Sequence, residues 1–163
     1  MITPFYDDGG INFDSFGEMI EYQIENGTDA LVVLGTTGEP ATMTEDEKVA
    51  VMKFAKERVA GRVKLIFGTG SNSTAKAVAA TKRAEELGAD GVLAVTPYYN
   101  KCTQKGIVEY YKAICEATSL PVIAYNVPPR TGVNIMPATA EELSYIPNMA
   151  GIKEACGNME QIC

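Results

Sequence analysis

The sequence predicts an α/β chain folded as part of a (β/α)8 barrel, and three observations carry that reading. Short β-rich apolar runs recur about every 30 residues, stretches of helical periodicity lie between them, and reactive polar residues follow several different strands. Strand-helix units repeated in this way imply a parallel sheet.

Taken in order, a first short strand ends at Ile2-Thr3-Pro4, and a helix follows from about Phe13 to Asn26, closed by Gly27. The second strand is Leu31 to Leu34. Thr44-Glu45-Asp46-Glu47 then has the form of a capping box, and Val51, Phe54, Ala55 and Val59 follow at helical spacing before Gly61. The remaining strands are Val63 to Phe67, Val92 to Val95, Val122 to Tyr125 and Met149 to Ile152. Between them, helices span Thr74 to Leu87 with Gly88 beyond, Gln104 to Ala117, and Pro137 to Tyr145, where Pro137 suits a first helical turn. No linker or low-complexity stretch interrupts residues 1–163, which read as one partial domain holding about strands 1 to 6 of 8.

Six strands also fit an open doubly wound sheet. A nucleotide-binding sheet of that kind carries a Gly-rich turn after its first strand, whereas Phe5-Tyr6-Asp7-Asp8-Gly9-Gly10 lacks the G-x-G-x-x-G form. A barrel instead collects its active site from the C-terminal ends of many strands.

Composition narrows the chemistry. A net charge of −7 without a local Lys/Arg cluster argues against nucleic acid or an anionic membrane surface as partner. No apolar run approaches the roughly 18 residues that span a bilayer, and no signal-like segment opens the chain, so a cytoplasmic protein is expected. The four cysteines (Cys102, Cys115, Cys156, Cys163) have no Cys-x-x-Cys spacing and read as reduced thiols rather than a zinc site. With no histidine, Ser-His and Cys-His nucleophile pairs are excluded within the chain, which leaves Lys, Tyr, Thr, Ser and carboxylates.

Those residue types cluster after the strands. Gly35-Thr36-Thr37-Gly38-Glu39 offers two hydroxyls in a tight turn, either to a ligand or to the local backbone, and Thr96-Pro97-Tyr98-Tyr99-Asn100 puts adjacent tyrosines pointing different ways at a strand end, where packing is the plain alternative to one facing the barrel mouth and the other an interface. In Tyr125-Asn126-Val127-Pro128-Pro129-Arg130-Thr131-Gly132 a phenol stands at the strand tip, with a guanidinium on a proline-stiffened loop that suits bidentate carboxylate binding. Gly151-Ile152-Lys153-Glu154-Ala155 ends an apolar run on a lysine. An amine at that place, partly stripped of water, is a nucleophile that condenses with a ketone to an imine. The plain structural alternative pairs Lys153 with Glu154 or a neighbouring carboxylate.

With Gly68-Thr69-Gly70, these motifs in this order and spacing resemble the dihydrodipicolinate synthase family of pyruvate-dependent Schiff-base aldolases over nearly the whole chain. The resemblance implies condensation of pyruvate with L-aspartate 4-semialdehyde to 4-hydroxy-tetrahydrodipicolinate in lysine biosynthesis, with no cofactor and no metal. It assigns the imine to Lys153 and proton donation to Tyr125. Thr36 and Tyr99 complete a proton relay, the second tyrosine arriving from a neighbouring subunit of a homo-oligomer, a dimer of dimers in the family. Thr37 holds the pyruvate carboxylate, Arg130 holds that of the semialdehyde, and Tyr98 with Asn72 matches an effector site for lysine. Glu45, Lys48 and Lys76 stand where some lysine-inhibited members carry other residues, and a cation at Lys76 repels an effector ammonium.

The chain is also expected to begin at or inside the first barrel strand and to lack the seventh and eighth, leaving edges unpaired and activity poor. The rival readings are a sugar-acid lyase such as N-acetylneuraminate lyase, against which Arg130 argues, and a non-catalytic remnant.

Overall fold

A computed structural model describes residues 1–163. Five parallel strands, β1 (Ala30–Val33), β2 (Lys64–Gly68), β3 (Gly91–Val95), β4 (Val122–Asn126) and β5 (Met149–Glu154), lie in sequential order in one sheet. Helices α1 (Phe13–Glu25), α2 (Glu45–Val59), α3 (Thr74–Glu86), α4 (Gln104–Cys115) and α6 (Pro137–Ser144) connect them, with the short α5 (Pro128–Thr131) and α7 (Met159–Ile162) added after β4 and β5. Sequential parallel order with helical crossovers is the arrangement of a partial (β/α)8 wall.

The helix ends are set by local chemistry. The Asn12 side chain caps α1, Thr103 caps α4, and at α2 Thr44 and Glu47 form both bonds of a capping box. Helix α2 stops one residue earlier than its glycine suggests, because Ala60 itself takes the left-handed cap conformation at φ 49° ahead of Gly61.

Strand alternation divides the side chains between two faces. Leu31, Val33, Leu65, Phe67, Val92, Ala94, Val122 and Ala124 point to the helices and form the main core with Phe16, Ile20, Val51, Ile107, Tyr111 and Leu143. At ~1.5–3 kcal/mol for each fully buried large side chain, this layer dominates stability. The intervening Val32, Ile66, Leu93, Val95, Ile123 and Tyr125 make a smaller cluster on the opposite, concave face.

The expected first strand is not formed. Met1 to Pro4 has no ladder with β1: the Met1 ammonium donates to the Val32 carbonyl at 2.7 Å and the Thr3 hydroxyl to that of Gly38 at 2.9 Å. Pro4 has no N–H to contribute to a ladder, and the only bridge nearby is an isolated antiparallel one between Phe5 and Ile11.

Two glycines let β1, β2 and β3 close up. A Cβ on Gly68 would stand 2.0 Å from the Leu34 carbonyl oxygen, and one on Gly70 would stand 2.3 Å from the Val95 nitrogen. The Gly68-Thr69-Gly70 motif is thus a packing requirement of the strand ends. Gly70→Ala should lower stability by about 1–3 kcal/mol or more, read as a fall in the urea midpoint, and an unchanged midpoint would contradict this close approach.

Helix α1 is tied to α2 by Glu21, which accepts from Arg62 at 2.7 and 2.9 Å and meets Arg58 at 2.6 Å. The Arg62 hydrogen bonds, then the two guanidinium charges, hold the Glu21 carboxyl at about 2, below its ordinary 4.5. A depressed folded value means that the stabilisation is present above about 4.5 and is lost as pH falls toward 2. Glu21→Gln should therefore lower the melting temperature slightly at neutral pH, with the gap to the parent closing in that acid window.

Candidate active site

The C-terminal ends of all five strands open at one end of the sheet, as parallel pairing requires, so the segments after β1, β3 and β4 that carry Thr36, Tyr99 and Arg130 leave from the same edge. Tyr125 near the end of β4 is in register with Lys153 on β5. In a parallel pair such partners share a face, and the Lys153 Nζ lies 4.1 Å from the centroid of the Tyr125 ring.

This juxtaposition depends on a break in the ladder. Val122 pairs with Met149, but Ile123 pairs with Gly151, so Ala150 is an extra residue in β5. Bulges of this kind re-aim the side chains beyond them. Here Met149 and Ile152, an odd number of residues apart, both pack on the helix-side core, and Lys153 turns to the concave face.

Glu154 points the other way. Both of its carboxylate oxygens accept from the Asn126 amide, at 3.0 and 2.9 Å, and one also accepts the Cys156 N–H at 2.7 Å. The alternative pairing of Lys153 with Glu154 is therefore overturned: alternation puts them on opposite faces, and Lys153 has no carboxylate within 4 Å. Lys153 is exposed in this chain rather than sunk in an apolar run, because the residues around it form one side of a wall. Asn126 is fully buried; its amide also donates to Asn134 at 2.8 Å, and its oxygen accepts the Ile135 N–H at 3.0 Å. The junction thus ties both ends of the segment bearing Arg130 to the strand bearing Lys153.

Thr36 and Thr37 occupy an exposed 3-10 turn after β1, their hydroxyls without protein partners. Tyr99 is 85% exposed and sits at φ 78°, a conformation that costs a non-glycine residue on the order of 1–3 kcal/mol. Its N–H donates to the Thr131 carbonyl at 3.3 Å, which joins its loop to that of Arg130, itself exposed. The hydroxyls of Thr36, Tyr125 and Tyr99 share no hydrogen bond within the chain, so one chain does not assemble the implied relay. Asn72 is exposed after β2, and Tyr98 is half-buried near Tyr110.

Two tyrosines that carry no candidate role stiffen these loops. The Tyr110 hydroxyl donates to the Val95 carbonyl and accepts the Ser71 N–H, both at 3.1 Å, while that of Tyr111 donates to Ala94 at 2.9 Å. Burial pushes both phenols well above their ordinary range, which makes them neutral supports. The remaining arrangement offers a primary amine against a phenol, with hydroxyls and a guanidinium around the same strand ends: groups suited to imine formation on a small keto acid. Asn126 and Glu154 are the residues that sequence reasoning does not assign to the site, and the amide next to Tyr125 facing the carboxylate next to Lys153 is their only signal.

Known proteins are similar to this chain along its whole length. The model of the dihydrodipicolinate synthetase family matches residues 1–163. The 4-hydroxy-tetrahydrodipicolinate synthases of Caldicellulosiruptor saccharolyticus and Alkaliphilus oremlandii are each 54% identical over 162 residues, 99% of this chain and 55% and 56% of theirs. The dihydrodipicolinate synthase of Thermotoga maritima superposes with a TM-score of 0.96 at 48% identity, covering 99% of this chain and 55% of that one. The chloride-inhibited enzyme of Acinetobacter baumannii, solved with pyruvate, gives 0.97 at 47% identity with the same coverage. The chain spans about half the length of the curated relatives it matches.

If Lys153 is a working group rather than a structural one, Lys153→Ala should change unfolding free energy by about 1 kcal/mol or less, the scale of an exposed cation–π contact. Glu154→Ala should cost about 1–3 kcal/mol, because it leaves the buried Asn126 amide with only its Asn134 acceptor. Equal losses in denaturant titrations would contradict the distinction.

Proposed function

The chain belongs to the dihydrodipicolinate synthetase family, and from that premise we propose that it carries the imine-forming part of a 4-hydroxy-tetrahydrodipicolinate synthase site. The observation that carries the reading is the Lys153 amine 4.1 Å from the centre of the Tyr125 ring, on adjacent strands at the C-terminal end of the sheet.

In this reading the Lys153 amine adds to C2 of pyruvate, and the carbinolamine loses water to leave a protonated imine. The imine draws electrons from C3, a proton leaves that carbon, and the resulting enamine attacks the aldehyde carbon of L-aspartate 4-semialdehyde. Tyr125, whose ring adjoins the amine, supplies and recovers protons. Thr36 and Tyr99 extend that relay to solvent. The 85% exposure of Tyr99 supports its delivery across a subunit interface in a homo-oligomer. Thr37 holds the pyruvate carboxylate, and Arg130 holds the semialdehyde carboxylate through its planar fork. Tyr98 and Asn72 form part of an effector site. Glu45 is engaged by Lys48 at 2.8 Å and Arg83 at 3.3 Å, with the Lys76 charge nearby, so these positions offer a lysine ammonium no free carboxylate. A cytoplasmic biosynthetic role belongs to the same proposal. No helix is long and apolar enough to cross a membrane.

The test is to incubate the purified chain with pyruvate, reduce with borohydride and map the product by peptide mass. The expected result is Lys153 heavier by one pyruvic acid less one oxygen atom, with the adduct absent from Lys153→Arg. An adduct spread over several lysines, or none on a folded chain, would sink the reading.

A further inference from the structure

The extra residue Ala150 leaves β5 two ways of pairing with β4, one residue apart. If the pairing of Val122 with Met149 simply continued, Tyr125 would face Ile152 and Asn126 would face Lys153. Period-two alternation would then bury Lys153 among the helices and turn Ile152 to the concave face. The observed register instead sets Asn126 opposite Glu154, and only there does the amide meet the carboxylate at 3.0 and 2.9 Å.

We infer that Asn126 and Glu154 are positioning residues for Lys153, their amide–carboxylate bridge selecting the bulged register that holds the amine beside the Tyr125 ring. The bridge is built for that work. Asn126 is fully buried, and its amide and carbonyl are both engaged, by Glu154 and Asn134 on one side and the Ile135 N–H on the other. Glu154 has no cationic partner, so the amide and the Cys156 N–H are what its charge rests on. The same junction anchors the return of the Arg130 loop at Asn134, whose carbonyl accepts from Gln104 at 2.8 Å. Its catalytic consequence rests on the reading of Lys153 as the imine-forming amine, but the geometric claim does not.

Asn126→Asp keeps the shape and places a carboxylate where the donor was, against Glu154. The double variant Asn126→Asp/Glu154→Gln restores a donor–acceptor pair with the roles exchanged: the amide introduced at position 154 donates to the carboxylate introduced at position 126, while its oxygen still accepts the Cys156 N–H. The readout is the ε-methylene resonance of Lys153 in chain labelled with 13C-lysine, assigned by its loss in Lys153→Arg. Ring currents from Tyr125 should hold it upfield of the other lysines in the parent. In Asn126→Asp it should move most of the way to the other lysines and return in the double variant, with pyruvate trapping slowed roughly tenfold or more and then recovered. A folded Asn126→Asp that keeps the upfield signal, a double variant that does not regain it, or a parent that never shows it would overturn the inference. Should the single variant fail to fold, the double decides: folded with the upfield signal it supports the bridge, and unfolded it refutes it. The resonance pattern as expected but without any pyruvate adduct in the parent would leave the positioning claim standing and remove the proposed chemistry.

Discussion

The pairing of β4 with β5 is the constraint on which the site depends. In a parallel sheet a side chain's face is fixed by its register, and a slip of one residue exchanges every inward group for an outward one. Continued without its bulge at Ala150, β5 would hide the amine in the helix layer, where an unpaired ammonium costs several kcal/mol. With the bulge, Ile152 joins the main core and Lys153 stands over the Tyr125 ring. One local irregularity thus reconciles packing on one face with an exposed amine on the other.

Around that pair, strained backbone gathers at the same edge of the sheet. Of the five non-glycine residues at positive φ, Leu34 and Glu39 flank the Thr36-Thr37 turn, and Tyr99 and Lys101 lie in the loop after β3. Such conformations persist only where their surroundings hold them. The Tyr110 and Tyr111 hydroxyls brace the end of β3 from below, and the Asn126 junction braces the loop after β4. Although the chain is acidic overall, the groups presented here include the cations Lys153 and Arg130.

Much of this is legible in the sequence because its signals are local. Thr44 with Glu47 marks a helix start through bonds made within one turn, and Pro137 marks another through its fixed φ; both stand where expected. The recurrence of strand and helix likewise implies the parallel order. What stays hidden is non-local. Nothing in Gly151-Ile152-Lys153 announces a bulge, since alternation alone leaves either face open to the lysine, and the apolar run suggests burial where the structure has an exposed amine. Residues 1–4 resemble a strand by composition, but a strand exists only through a partner, and β1 gives them only the Met1 contact to Val32. Glu154 suggests itself as a partner for Lys153 because they are adjacent in sequence, but adjacent residues of a strand point to opposite faces.

The most direct test of the lysine's placement and role is a crystal structure of the chain grown with pyruvate. The expected result is β5 paired with Tyr125 opposite Lys153, continuous density from the Lys153 Nζ to C2 of the keto acid, and the Tyr125 phenol beside it. Density showing β5 in unbulged register with Lys153 turned toward the helices, or pyruvate bound away from this lysine, would contradict it.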